Sequence, residues 1–168
     1  GQAKLLFSEL TQSLSTRTKQ DGGALSNILE KFISIARQEA QEKGRDVSAI
    51  IFEKLKDLND YTDGYNFATA VSKYWEGYDT GNDVLKENAL KWLRGEYSSK
   101  VETLRDLGIR EYINDATFYN SLKLYSILVR KAGYKGLLIN LDEMVNLYKI
   151  PTSVSRKSNY EVILNMLN

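Results

Sequence analysis

Proline occurs once in this chain, at Pro151, and that scarcity constrains the fold more than any other feature. A proline inside a helix removes a backbone donor and clashes with the preceding turn, so residues 1–150 are free to be helical. Glycines then divide that stretch into periods. The spacing predicts a helix over about 2–14, with Leu6, Leu10 and Leu14 on one face and Phe7 beside it. A polar loop over 15–23 precedes a second helix that carries Leu25, Ile28, Leu29, Phe32 and Ala36 and stops at Gly44. Asp46 is placed to cap a third, with Val47, Ile50, Ile51, Leu55 and Leu58 facing inward.

A fourth helix is expected over 65–78. Asn82 or Asp83 opens a fifth, which contains Leu85, Ala89, Trp92 and Leu93 and ends at Gly95. Ser99 with Glu102 forms a capping-box pattern for a sixth that ends at Gly108. Residues 109–113 read as a short strand or an extended linker. The strongest periodicity starts near Asp115, sets Phe118, Leu122, Tyr125 and Val129 on one face, and stops at Gly133.

The 168 residues suit a single domain, and 42% hydrophobic residues are enough to bury a core. No repeat, low-complexity tract or dividing linker is evident. With 23 Lys+Arg against 22 Asp+Glu, the overall charge favours neither nucleic acid nor a membrane surface. Direct DNA binding would need a clustered basic face, which the sequence does not force. The absence of Cys and His excludes thiol nucleophiles, Cys- or His-ligated metals and imidazole catalysis, leaving carboxylates, amines, guanidinium, hydroxyls and backbone amides. No apolar run approaches the roughly 18 residues of a membrane span, and no signal-peptide pattern opens the chain. A cytoplasmic protein is the expectation.

The texture changes at Gly136. Leu137-Leu138-Ile139-Asn140-Leu141 is a short, mainly apolar run followed at once by Asp142-Glu143. A buried parallel strand reads this way, and such a strand ending in Asp-Glu has the pattern of a Walker B motif. The strand end places the Asp to hold Mg²⁺ against nucleotide phosphates, and the neighbouring Glu to orient or deprotonate the attacking water. Two acids can equally begin the next helix. The corroborating phosphate loop, G-x-x-x-x-G-K-[ST], is not present within the 168 residues; Gly22-Gly23 and Gly133-x-x-Gly136 both fail to match it.

The run LLINLDEMVNLYKIPTSVSRKSNYEVILNMLN over 137–168 resembles the Walker B region of a bacterial P-loop ATPase family, the ATP-binding proteins of BREX-type phage-defence loci. STRTKQDGGAL (15–25), ALKWLRGE (89–96) and DATFYNSLKLYSILVRKAGYKG (115–136) resemble further segments of that family, in its order. The resemblance implies a central fragment of a P-loop NTPase with its Walker A loop upstream. Residues 1–135 would be a helical region inserted between the two Walker motifs, and 136–168 the Walker B strand and following helix, with no true domain boundary. Asp142 would be the Mg²⁺-associated, nucleotide-binding acid and Glu143 the catalytic acid. Asn140 departs from the apolar pattern of the strand.

The fold expected is therefore mainly α, a helical bundle with at least one strand that belongs to an α/β core. ATP and Mg²⁺ would be bound by the full-length parent and not tightly by the fragment, which alone should be inactive. Other defence-system proteins are candidate partners, and an exposed strand could pair two copies into a homodimer. The alternative from another class is a helical protein-interaction module without nucleotide chemistry. Among the remaining residues, Arg156 could contact a phosphate or serve as an arginine finger, while Arg130, Lys131, Lys135, Lys149 and Lys157 are read as phosphate contacts or as solvated and helix-terminal charges. The aromatic residues Tyr61, Tyr65, Tyr74, Trp75 and Tyr78 are read as core or partner-facing packing in preference to a base-stacking platform, because acids surround them. Arg17 and Lys19 fit a plain capped loop better than an anion site.

Overall fold

A computed structural model describes residues 2–139, and the chain divides into two units, Gly1–Gly136 and Leu137–Asn168. The first unit is helical. Its order is α1 (Gln2–Gln12), α2 (Leu25–Lys43), α3 (Val47–Lys56), a 3₁₀ turn (Asp57–Asp60), α4 (Gly64–Thr80), α5 (Asp83–Leu93), α6 (Lys100–Leu107) and α7 (Phe118–Lys131). α4 packs against α2, α3, α5 and α7 and is the central helix of the unit.

The helices start where short polar side chains take up free amides. Asp46, Asn82 and Ser99 accept hydrogen bonds from the amides of Ala49, Leu85 and Glu102 respectively. Several stop at left-handed glycines, and Gly95 shows the chemistry. At φ +70° its amide donates to the Trp92 carbonyl while that of Glu96 reaches back to Lys91, the paired bonds of a Schellman motif. A side chain here would be strained in backbone and would also meet the Phe7 ring at 2.9 Å. Gly77 is required for a different reason. α4 and α5 approach so closely there that a Cβ would lie 2.8 Å from the Lys86 amide and 2.9 Å from the Asn82 carbonyl.

The core gathers the residues that periodicity set inward. Ile28, Leu29, Phe32 and Ala36 of α2, Ile50, Ile51 and Leu55 of α3, and Phe118, Leu122, Tyr125 and Val129 of α7 are all buried. Tyr125 is the junction. Its ring meets Phe67 edge-on at 5.1 Å and Phe7 at 5.9 Å, joining α7 to α4 and α1. Its hydroxyl donates to the Leu93 carbonyl at 2.6 Å, satisfying an orphan acceptor at the end of α5. Full burial pushes the Tyr125 hydroxyl well above its ordinary pKa, so it stays a donor.

Two expectations need correction, and one alternative is decided. α7 begins at Phe118 and not at Asp115, because Asn114 turns the chain first: its carboxamide oxygen accepts from the Ala116 amide and its own amide donates to Thr117. The Asp115 carboxylate is meanwhile used elsewhere, accepting the Lys4 amide at 2.7 Å in the first turn of α1. Of the two forms expected for residues 109–113 the extended linker is the one found, fixed by the Trp92 indole donating to the Glu111 carbonyl at 2.8 Å. The strand expected over 137–141 is not formed at 137–139, which have no ladder partner, and its last two residues lie outside the described part. No strand and no α/β core occur among the described residues; the unit is helical throughout.

Tyr125→Phe keeps the packed ring and strands the Leu93 carbonyl, and should cost about 1–3 kcal/mol. Urea denaturation should show a lower midpoint with an unchanged slope.

Candidate functional site

Asp142, Glu143 and Arg156, with Lys149 and Lys157, lie outside the described residues. What is visible is the helix that precedes them and how it is held. α7 is buried through Tyr125, Leu128 and Val129, and its last turn is fastened by the Lys131 ammonium to the Asp57 carboxylate at 2.9 Å. Two residues later Gly133 adopts φ +86° beside Ile35, and the Tyr134 amide closes the helix on the Val129 carbonyl. The Lys31 ammonium lies 4.1 Å from the centre of the Tyr134 ring. Gly136, where the first unit ends, is thus only two residues beyond a fixed point on α2.

The same helix holds the corner between α3 and α4. Asn120 donates to the Asp63 carboxylate at 2.9 Å, and Asp63 is the one described non-glycine residue with positive φ, +65°. An Asp tolerates that left-handed geometry better than most residues, and the bond from α7 helps to fix it. Lys131 therefore has a structural partner, while Arg130 and Lys135 stand exposed and have no carboxylate partner among the described residues.

The aromatic residues of α4 separate into two sets. Tyr74 and Trp75 are buried, with the Tyr74 hydroxyl bonded to Glu30 at 3.3 Å and the Trp75 indole to Ser48 at 2.9 Å. Burial first, and then the Glu30 charge, raise the Tyr74 hydroxyl well above its usual pKa. Tyr78 stacks on Trp75 and has Arg37 and Lys86 over its ring at 5.0 and 5.7 Å. Those faces are occupied by the protein, so the packing role expected from the spacing holds and a stacking platform does not form. Tyr61 and Tyr65 remain exposed.

In the 15–23 loop Thr16 and Lys19 exchange backbone hydrogen bonds, and Lys19 pairs with Asp21 at 3.1 Å. Arg17 is exposed. This is a self-contained turn, and Ala24 gives α2 no side-chain cap. Among the described residues no cluster of acids could hold a metal ion. None of their helices is long and apolar enough to cross a membrane.

One charge network was not legible from sequence. Glu39 of α2 accepts from Lys43 one turn on and from Lys54 of α3, each at 2.7 Å. Hydrogen bonds from these two ammonium groups hold its carboxyl down at about 2. Only the i,i+4 half of that arrangement follows a helical rule; the cross-helix half depends on how α2 and α3 pack.

A model of the protein family described as "BREX system ATP-binding protein BrxC/D" matches residues 1–168. The chain belongs to this family. The match takes in both the helical unit and the run ending in Asp142-Glu143, and agrees with the resemblance carried by the four segments quoted above. No curated protein and no solved structure matches the chain. Membership in an ATP-binding BREX family makes a phage-defence ATP-binding protein the setting of the helical unit, and ATP its fitting ligand.

The depressed carboxyl of Glu39 sets a pH dependence. Its contribution is present above the ordinary carboxylate value near 4.5 and is lost as pH falls toward about 2. Glu39→Gln should therefore be less stable than the parent at pH 7, with the difference closing in acid. Urea midpoints for both proteins across that range test this; a gap that stays constant would remove Glu39 as the source.

Proposed function

We propose that this chain carries the Walker B half of an ATP-hydrolysing site, with Asp142 as the Mg²⁺-holding acid and Glu143 as the catalytic acid. The observation that supports the reading is the family match over residues 1–168, a range that includes the apolar run ending in Asp-Glu. The donor set fits a hard cation: both side chains offer carboxylate oxygens, and the chain has no His or Cys to favour a softer metal. Mg²⁺ held by Asp142 would supply charge neutralisation at the β- and γ-phosphates. Glu143 orients the attacking water and accepts its proton as the water oxygen bonds to the γ-phosphorus and the bond from that phosphorus to the β–γ bridging oxygen breaks, releasing ADP and inorganic phosphate. Arg156 contacts a phosphate oxygen, of its own nucleotide or of a neighbouring copy's.

The phosphate-cradling loop is not among these 168 residues, so its amides come from elsewhere in the polypeptide, and this chain alone should turn over no ATP. In that arrangement the helical unit is an insertion between the two motifs. Hydrolysis would then be coupled to a conformational change in a defence or DNA-handling assembly. A second reading, an interaction module without nucleotide chemistry, draws support from Val101 and Leu104, apolar residues one turn apart and exposed on α6.

Calorimetry with Mg-ATP separates the two. The reading expects binding only in a version extended upstream through the phosphate loop, weakened by Asp142→Ala. In that version Glu143→Gln should keep binding and lose turnover by about 10²-fold or more, the usual scale of a catalytic base. If neither version binds, Asp142-Glu143 merely starts a helix and the α6 face becomes the functional surface.

A further inference from the structure

We propose that the C-terminal end of α7, with the end of α3 and the part of α2 that carries Lys31, forms a surface that binds the phosphate backbone of nucleic acid. The chain as a whole is almost neutral, at net +1, yet cations from three elements converge at this end. Lys131 reaches Asp57, which brings the end of α3 and its exposed Lys56 to the last turn of α7. Lys31 of α2 lies over Tyr134, three residues beyond that turn. Arg130 and Lys135 complete the group from α7 and the residues after it, both exposed.

The acids nearby do not cancel this charge. Asp57 is taken by Lys131, and Asp60 stands at the far end of the 3₁₀ turn. Among the described residues Lys56, Arg130 and Lys135 have no carboxylate partner, whereas Lys43, Lys54, Lys73, Lys100 and Arg105 elsewhere are each paired with one. Favourable interaction with the negative end of the α7 dipole would account for Arg130 and Lys131. The dipole of α3 would account for Lys56 in the same way, but neither dipole accounts for Lys31, which lies within α2, nor for Lys135, which lies beyond the end of α7. Exposed, unpaired cations on one end of a domain suit a polyanion that exchanges counterions for lysine and arginine, without base readout. The inference does not depend on the ATPase reading, since it concerns residues 31–135 alone.

The test is fluorescence anisotropy of the 168-residue chain with a labelled DNA duplex of about 20 base pairs, at salt from about 50 to about 200 mM. Engagement of Lys31, Lys56, Arg130 and Lys135 predicts a log–log salt slope of about −3 to −4, and roughly 10²-fold weaker binding across that range. Arg130→Gln alone should reduce the slope by about 0.9, and Lys56→Gln/Arg130→Gln/Lys135→Gln together should bring it to about −1. Arg17→Gln, an exposed cation in the 15–23 loop, should change nothing. Circular dichroism guards against a folding defect, and the single variant keeps the test decisive if the triple one unfolds. Absence of binding at the lowest salt, or a slope indifferent to these substitutions, would overturn the proposal. So would displacement of the duplex by Mg-ATP, which would make this a nucleotide site, or equal competition by polyglutamate, which would point to an acidic protein.

Discussion

The hydroxyl of Tyr125 donating to the Leu93 carbonyl is the contact on which the helical unit depends. α5 ends at Leu93, and a carbonyl left facing a dry core would cost about as much as a lost hydrogen bond. Because the donor sits on α7, the end of one helix is completed by the middle of another. The ring that carries the hydroxyl also fills the space between Phe7 and Phe67, so polar and apolar demands fall on a single side chain. Gly95 must then be a glycine twice over, once for its left-handed backbone and once because Phe7 lies where a side chain would be.

Much of this architecture is written locally. Helix existence follows from apolar periodicity, and the starts at Asp46, Asn82 and Ser99 follow from short side chains that accept a nearby amide. Local rules fail where a residue's obligations are distant. Asp115 looks like the start of α7, but its carboxylate closes α1, and the turn passes to Asn114. The α3–α4 corner was equally hidden, since the positive φ of Asp63 goes with a bond from Asn120 on another helix. The run before Asp142 reads as a buried strand only if other strands flank it. Within residues 2–139 there are none to pair with, so the signal has nothing to act on there.

The candidate chemistry and the scaffold are divided along the chain in a way the sequence does convey. Its carboxylates sit in the run after Gly136, while the preceding residues supply helices, caps and charge pairs. The aromatic residues of α4 illustrate the difference between composition and placement. Tyr74, Trp75 and Tyr78 are rich in stacking surface, yet Glu30, Ser48, Arg37 and Lys86 already engage them. The basic residues behave in the opposite way: unremarkable when counted, they become concentrated once α2, α3 and α7 are packed together.

The cap that Asp115 places on α1 bears on how the chain acquires its structure. The two partners are 111 residues apart, and Phe7 waits for Tyr125 in the same manner. During synthesis α1 leaves the ribosome before the rest of the unit, but its first turn lacks the Asp115 carboxylate that closes it until nearly the whole unit has followed. Its docking is a late event with a large loop to close, whereas the α4–α5 hairpin can form from neighbouring residues alone. The first helix in the chain is thus among the last to be secured, and the unit reaches its native core only after α7 has been made.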